Sequence, residues 1–372
     1  MQQYHIPTEI KWGRGLAGKI GELIRPLSPT KVLIVTDPGV RAAGLIAVIE
    51  ESLETDKIPY IVFDQVQPNP SSGVIHSGYD LLHENNCDIV VSIGGGSSID
   101  TAKGIAALAT NSGHILDYEG VNKLRERPLP HIAIPTTAGT GSEATQSTVV
   151  TTPDHFKAAV LSPYLYPSMA ILDPLLTLSL PSHITASTGM DALTHAIESY
   201  ISKQATPITQ ALALRAVHLI NQHLSTCFFV GDDVEAREQM LLASLLAGMA
   251  FSQSRLGNVH AISHTFGGVF NIAHGIANAT LLPFVLKFNL PACESKMADI
   301  SQVLGKDTLE WVQIMNQKMS IPDNIKDLGV TLDVLPKLVT DAMRSGNVLV
   351  NPRKTTAADI QQIIEDAYHG VI

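Results

Sequence analysis

Cysteine, charge and long apolar runs are all scarce in this chain, and each scarcity excludes something. Of 372 residues only Cys87, Cys227 and Cys293 are cysteines, with no CxxC pair and no even-numbered framework. That excludes a disulfide scaffold and leaves a reduced, cytoplasmic setting as the expectation. Charged residues make up 16% and apolar residues 45%, which excludes disorder and fits a compact enzyme with a buried subunit interface, a homodimer or higher homo-oligomer. The net charge of −10 comes without any block of Lys or Arg, so nucleic acid and anionic membranes are not expected partners. The richest apolar stretch, residues 241–251, holds eleven residues including Ser244 and Gly248, well short of the roughly twenty that cross a bilayer. The N-terminal MQQYHIPTEIKWG lacks a basic segment followed by an apolar run, so no signal peptide is expected. No internal repeat or low-complexity tract is present.

A chain of this length exceeds what one core usually supports, so two domains are expected. The first half alternates short β-branched runs (KVLIVT from Lys31, YIVFD from Tyr60, DIVVSIG from Asp88, HIAIP from His131) with longer amphipathic segments. That alternation predicts a mostly parallel sheet with covering helices. Beyond Pro174 and Pro181 the pattern becomes helical and rich in Ala and Leu. An α/β domain over 1–180 and an all-helical domain over 181–372 are therefore expected.

Two turns in the first half suit an anion. DIVVSIGGGSSIDTAKG, residues 88–104, is a strand, a glycine turn and a helix start. Gly94, Gly95 and Gly96 let backbone N–H groups approach a phosphate at the positive end of a helix beginning near Ser97. The spacing is not G-x-G-x-x-G, and Ser97 with Asp100 also reads as a capping box. A second strand leads into IPTTAGTGSEATQS, residues 134–147, where Thr140 and Glu143 are placed to cap a helix. Two such turns at strand ends predict a nucleotide at the carboxyl edge of the sheet. Asp37 closes the first strong strand, where a carboxylate can accept from ribose hydroxyls and repel a 2′-phosphate, favouring NAD over NADP. It stands before Pro38-Gly39, so an ordinary turn explains it as well. Asn69, between two prolines, has the same two readings.

The second half carries the metal chemistry. Asp191 and His195 in GMDALTHAIE are spaced i,i+4, as are His260 and His264 in GNVHAISHTFGGVFNIAHG, so each pair shares a helix face. His274 lies fourteen positions past His260, about 21 Å along an unbroken helix. The chain must turn if His274 is to join, and Gly267-Gly268 offers the place to end a helix. Gly275 lets the backbone pass close to whatever His274 touches. One carboxylate with two or three neutral imidazoles suits Fe(II), Zn, Mn or Co and does not suit Ca. A lone histidine on an apolar helix is more often a hydrogen-bonded core residue. Two spaced pairs and a buried aspartate needing a partner favour a site.

With GGGS, PTTAGTGSE, GMDALTHAIESY and GNVHAISHTFGGVFNIAHG in order, the chain resembles the iron-containing alcohol dehydrogenase family over nearly its full length. The resemblance implies a Rossmann-like domain with a parallel sheet, an all-α domain of the dehydroquinate synthase-like architecture, and a cleft between them holding NAD(P) and Fe(II) or Zn. It implies Asp191, His195, His260 and His274 as metal ligands, with His264 as an extra histidine near the nicotinamide that is not counted as a ligand. For the cofactor it maps onto Asp37, Asn69, Gly95, Gly96, Ser97, Thr136, Thr137, Thr140, Thr145, Ser147, Lys157 and Thr177. Lys157 by itself reads only as a solvated charge at a strand end. On the substrate side it maps onto Val149, Phe251 and Asn347, although GNVLV before Asn351 departs from the run of small residues in many relatives.

The function implied is metal-dependent hydride transfer between a small alcohol or diol and NAD(H). An imidazole titrating near neutrality makes His264 the candidate catalytic residue, passing the proton to solvent directly or through a ribose hydroxyl, and a histidine that packs in the core or orients a metal ligand is the plain alternative. Rivals are a glycerol dehydrogenase-like or dehydroquinate synthase-like reaction on the same scaffold, a metal-dependent hydrolase that has no use for the glycine turns, and a non-catalytic scaffold. Primary alcohols, 1,2-diols, hydroxyaldehydes and hydroxyacids all remain open as substrates.

Overall fold

The computed structural model describes residues 3–372. Six strands build one parallel sheet: β1 (Glu9–Trp12), β2 (Val32–Val35), β3 (Tyr60–Phe63), β4 (Ile89–Gly94), β6 (His131–Pro135) and β9 (Met169–Leu172). Their spatial order is β1-β9-β6-β4-β2-β3. Every residue of β2, β4, β6 and β9 is buried, as strands covered on both faces require, and hence their apolar runs. From β2 the chain steps outward to β3, then returns past β2 to β4 and continues the other way. The order reverses there, so a crevice opens at the carboxyl ends of β2 and β4. A smaller sheet, missed in the sequence pattern, joins β5 (Gly120–Val121) to the antiparallel hairpin of β7 (Ser147–Thr151) and β8 (Lys157–Leu161). Strands β1 and β9 are likewise unmarked in the sequence pattern, being EIKW and MAIL with a single β-branched residue each.

Among the described residues of this half the α-helices are α1 (Ile20–Ile24), α2 (Pro38–Ala42), α3 (Ala47–Thr55), α4 (Ser72–Glu84) and α5 (Gly96–Leu108). The expected capping box at α5 is absent. The helix starts one residue earlier, with Gly95 as N-cap and no side-chain cap, and Asp100 instead accepts from Ser142 Oγ and the Val149 N–H. The second turn forms only a short 3₁₀ segment capped by Gly141, without the Glu143 arm.

From Ser182 onward the described residues hold helices and no strand: α6 (Ser182–Ile201), α7 (Pro207–Phe229), α8 (Val234–Ser254), α9 (Asn258–Val269), α10 (His274–Leu304), α11 (Thr308–Lys318), α12 (Leu335–Arg344) and α13 (Ala357–His369). Helix α6 is central, packed by α7, α8 and α10. Of its 20 residues 16 are buried, and a helix surrounded on all sides should be apolar. The titratable Asp191, His195 and Glu198 within it therefore need partners. Helix α10, longer than the apolar run at residues 241–251, is by length and composition alone able to cross a bilayer. However, 67% of its most apolar window is buried in the protein, which makes it a core helix. Gly267 and Gly268 do not end α9, which runs on to Val269 before the chain turns through Asn271, at φ 54.

The two halves meet where the second anion turn touches α8. Gly141 has φ 59, and a Cβ at Gly248 would stand 2.5 Å from Gly141 O. Leu241 and Leu245 of α8 pack beneath on Ala144, Ala170 and Leu172. Because backbone meets backbone here, nothing can yield to an added methyl. Gly248→Ala is expected to lower stability by about 1–3 kcal/mol, read as a fall in the urea midpoint; an unchanged midpoint would mean the halves are not in this contact.

Candidate metal centre and nucleotide cleft

Asp191, His195, His260 and His274 converge, with one ligand atom of each lying within 4.8 Å of all the others. Asp191 Oδ1 is 3.9 Å from His195 Nε2, 3.8 Å from His260 Nε2 and 3.9 Å from His274 Nε2. Local structure explains the meeting. Asp191 and His195 share one face of α6, His260 sits in the first turn of α9, and His274 opens α10 after the turn at Asn271. A Cβ at Gly275 would stand 2.4 Å from Ser187 O, so this glycine lets α10 lie directly on the α6 backbone.

The tautomers of two rings follow from their partners. His195 Nδ1 faces Gly139 O at 3.1 Å, and a carbonyl only accepts, so Nδ1 carries the proton. His260 Nδ1 meets Glu198 Oε2 at 2.6 Å and donates to it in the same way. Both Nε2 lone pairs then point at the Asp191 carboxylate. Burial drives the His260 and His274 rings well below the usual histidine range, the neighbouring histidines adding to it, and raises Asp191. Held this close, the Nε2 lone pairs of His195 and His260 and the oxygen of Asp191 that they face repel one another unless a cation sits among them. The nearest donor, Asn278 Nδ2, reaches Asp191 Oδ1, His260 Nε2 and His274 Nε2 at 2.6, 3.0 and 3.1 Å. Its two protons cannot serve three acceptors, and its buried Oδ1 has no partner. One carboxylate and three imidazole nitrogens match a divalent transition metal.

Glu198, unmarked by any motif reading, is the main residue missed. It lies one turn beyond His195, and its Oε1 accepts the Val259 N–H at 2.7 Å, so one carboxylate both caps α9 and aims His260. Burial pushes it up to about 7 against the backbone N–H groups that favour its charge. Its i,i+3 spacing from His195 was the available signal.

The cluster forms one end of a cleft of about 760 Å³. Of the predicted cofactor residues, Asn69, Gly96, Ser97, Thr140, Thr145, Ser147 and Lys157 line it, while Asp37, Gly95, Thr136, Thr137 and Thr177 lie outside its wall. Asp37 caps α2 through the Val40 N–H at 3.0 Å and accepts from Ser98 Oγ at 3.3 Å, so the turn reading applies and one oxygen still faces the glycine turn. Thr136 and Thr177 are buried, the latter donating to Pro174 O, and Thr137 stands against Gly95. Gly94, at φ 153, lets the chain leave β4 for the amino end of α5, whose first N–H groups have no intrahelical partners and suit a phosphate. Val149, Phe251 and Asn347 line the cleft too, and the Phe251 ring stacks on His195 at 4.5 Å between centroids.

Three further polar groups brace the cleft. Lys157 Nζ donates to Asn69 Oδ1 at 2.7 Å, and Asn69 reaches Asn271 at 3.0 Å. Lys157 is thus no solvated charge, since burial lowers it to about 8. Lys103, also missed, is buried in α5 and donates to Ser142 O, Thr145 O and Ser147 O at 2.8, 3.0 and 2.8 Å, clamping the second anion turn. His264 stands 6.0 Å from the His260 ring and 5.2 Å from the His274 ring. Burial, with Lys157 and His195 near, lowers it to about 3, so the expected titration near neutrality is corrected to a neutral ring.

Residues 7–174 match the model of a family described as iron-containing alcohol dehydrogenase, and residues 185–368 that of the Fe-containing alcohol dehydrogenase family, C-terminal. The chain is 40% identical over 374 residues to alcohol dehydrogenase 4 of Saccharomyces cerevisiae, covering 98% of each. It is 39% identical to the NAD-dependent methanol dehydrogenase of Bacillus methanolicus, over 99% of this chain and 100% of that one. The crystal structure of a 1,3-propanediol oxidoreductase superposes with a TM-score of 0.96 at 38% identity, over 99% of this chain and 100% of that one.

Two outcomes follow from the braces. Glu198→Gln keeps the shape and removes the charge, and is expected to weaken divalent metal binding about 10- to 100-fold in a chelator competition; unchanged affinity would make Glu198 only a helix cap. Lys103→Met leaves buried carbonyls unpaired, worth about 1–3 kcal/mol each. NADH affinity, followed by fluorescence quenching, is expected to fall about tenfold or more with metal content retained.

Proposed function

The chain belongs to the iron-containing alcohol dehydrogenase family, and from that premise we propose that Asp191, His195, His260 and His274 hold its iron at the nicotinamide end of the cleft. It is an oxidoreductase of small alcohols and diols, acting on CH–OH donors and their aldehydes with NAD(H). The observation that carries the site assignment is the convergence of one carboxylate oxygen and three imidazole nitrogens within 4.8 Å, with a single amide donor that cannot satisfy them all.

When bound, iron would supply Lewis acidity to a substrate hydroxyl and NAD the capacity to take up a hydride. The chain's own residues do the rest. The glycine turn and the amino end of α5 hold the pyrophosphate, helped by Thr140, Thr145 and Ser147 on the clamped second turn. Asp37 at the end of β2 favours NAD over NADP by repelling a 2′-phosphate. Lys157, fixed by Asn69, serves the nicotinamide ribose. Phe251, packed on His195, joins Val149 and Asn347 in shaping the substrate end and excluding water there. His264, neutral beside the cluster, accepts and hands on the hydroxyl proton as a hydrogen-bonding relay. A division at residue 180 into nucleotide and helical domains is supported by the last strand ending at Leu172 and the helices beginning at Ser182. A cytoplasmic setting is supported by three buried free cysteines, and a homodimer or higher oligomer by the exposed Trp12, Phe229 and Leu349.

The test is metal analysis of protein purified without chelator, with NADH oxidation by propanal before and after chelation. Iron, or zinc in its place, at about one per chain and loss of turnover on chelation, restored by Fe(II), are expected. Full activity in metal-free protein would overturn the assignment, and substrate consumption without net NADH change would point to a dehydroquinate synthase-like reaction instead.

A further inference from the structure

Where α8 ends, Arg255 adopts φ 60 and ψ −175, a backbone region that is nearly glycine's alone. Such a conformation persists only where the surroundings impose it. Here the Arg255 N–H is tied to Phe251 O at 2.8 Å, and Ser254 Oγ donates to Arg255 O at 3.2 Å. Ser254 is held in turn by the buried Ser199 and Ser202, at 2.8 and 2.6 Å. The consequence is a side chain directed into the cleft wall. Its Nη1 lies 3.1 Å from where a Cβ on Gly346 would stand, the absent side chain leaving it room. Among the described residues the guanidinium of Arg255 has no ion pair and no hydrogen bond, although many of the chain's exposed arginines are paired.

From this geometry we infer that Arg255 is a specificity residue, receiving an anionic group at the end of the substrate remote from the reacting carbon. The preferred substrates are then short aldehydes and alcohols ending in a carboxylate, sulfonate or phosphonate. The inference rests on the function proposed above and narrows its substrate class. The position suits the role, since Arg255 follows Phe251 by one turn and Phe251 packs on the ligand His195. The surrounding charge suits it too. Arg344 also lines this wall, stacked on Phe156 at 3.9 Å. The neighbouring carboxylate, Asp341, is already met by Lys337 at 2.7 Å and by Arg344 at 3.4 Å. Glu119 lines the wall beside β5 and forms no ion pair with Arg255. A planar guanidinium fork without a partner matches the paired oxygens of such end groups.

The experiment compares kcat/KM for matched aldehydes in the metal-loaded enzyme with NADH: butanal against the four-carbon aldehyde ending in a carboxylate, with sulfonate- and phosphonate-ended aldehydes as further arms. An anionic member is expected to lead by about tenfold or more, and the arm that leads identifies the end group. Arg255→Gly suits the backbone, so it folds, with an unchanged or raised Tm. It is expected to lower the anionic-to-neutral ratio roughly 100-fold, chiefly through KM, and Arg255→Lys to fall between. Butyrate, an unreactive anion, binds the NADH-loaded wild type by fluorescence and not Arg255→Gly. No anionic preference in the wild type, or an unaltered ratio in Arg255→Gly, overturns the inference while leaving alcohol oxidoreduction standing. Absence of metal-dependent turnover with every aldehyde is the separate failure, that of the function itself.

Discussion

One buried arrangement governs the rest: a carboxylate and three imidazole nitrogens brought within 4.8 Å, where a single amide offers fewer protons than there are acceptors. Left alone, these acceptors repel one another, and burial sharpens the repulsion by removing the water that would solvate them. The fold sustains the cluster by fixing the far side of two rings. The carbonyl of Gly139 holds one and the carboxylate of Glu198 the other, so their protons point outward and their lone pairs inward. A cation is the partner such a cluster is shaped to receive.

The same contacts bind the two halves of the chain to each other. Gly139 belongs to the second anion turn, so the loop that lines the cleft also holds the His195 ring on α6. The turn rests on α8 through Gly141 and is clamped from α5 by Lys103. Binding at either end of the cleft is thereby referred to one rigid loop, which serves a reaction that needs the hydride donor and the acidified hydroxyl in register.

Several glycines that read as helix or turn punctuation do another job. A Cβ at Gly268 would stand 1.9 Å from His155 O, so the pair in α9 admits the β7–β8 turn against the helix instead of ending it. At Arg255 the relation is inverted, with a large charged side chain occupying a backbone that glycine would fill without strain. Other charged groups of the wall, Lys157, Asp341 and Arg344 among them, have partners, whereas the guanidinium of Arg255 has none among the described residues.

The sequence by itself determined the candidate ligands, the parallel strands and the glycine turn after β4, because each is written in local spacing: i,i+4 pairs on one helix face, apolar runs between turns, glycines beside a helix start. It also carried the family. Only the tertiary structure decided what orients those groups. His260 meets Glu198 across 62 residues and His195 meets Gly139 across 56, while Lys103 reaches a turn some forty positions away. The depressed His264 and the stranded charge of Arg255 likewise depend on burial and on which partners the packing withholds. Spacing along a chain records which atoms ride on the same element, and it is silent about which elements the core will press together.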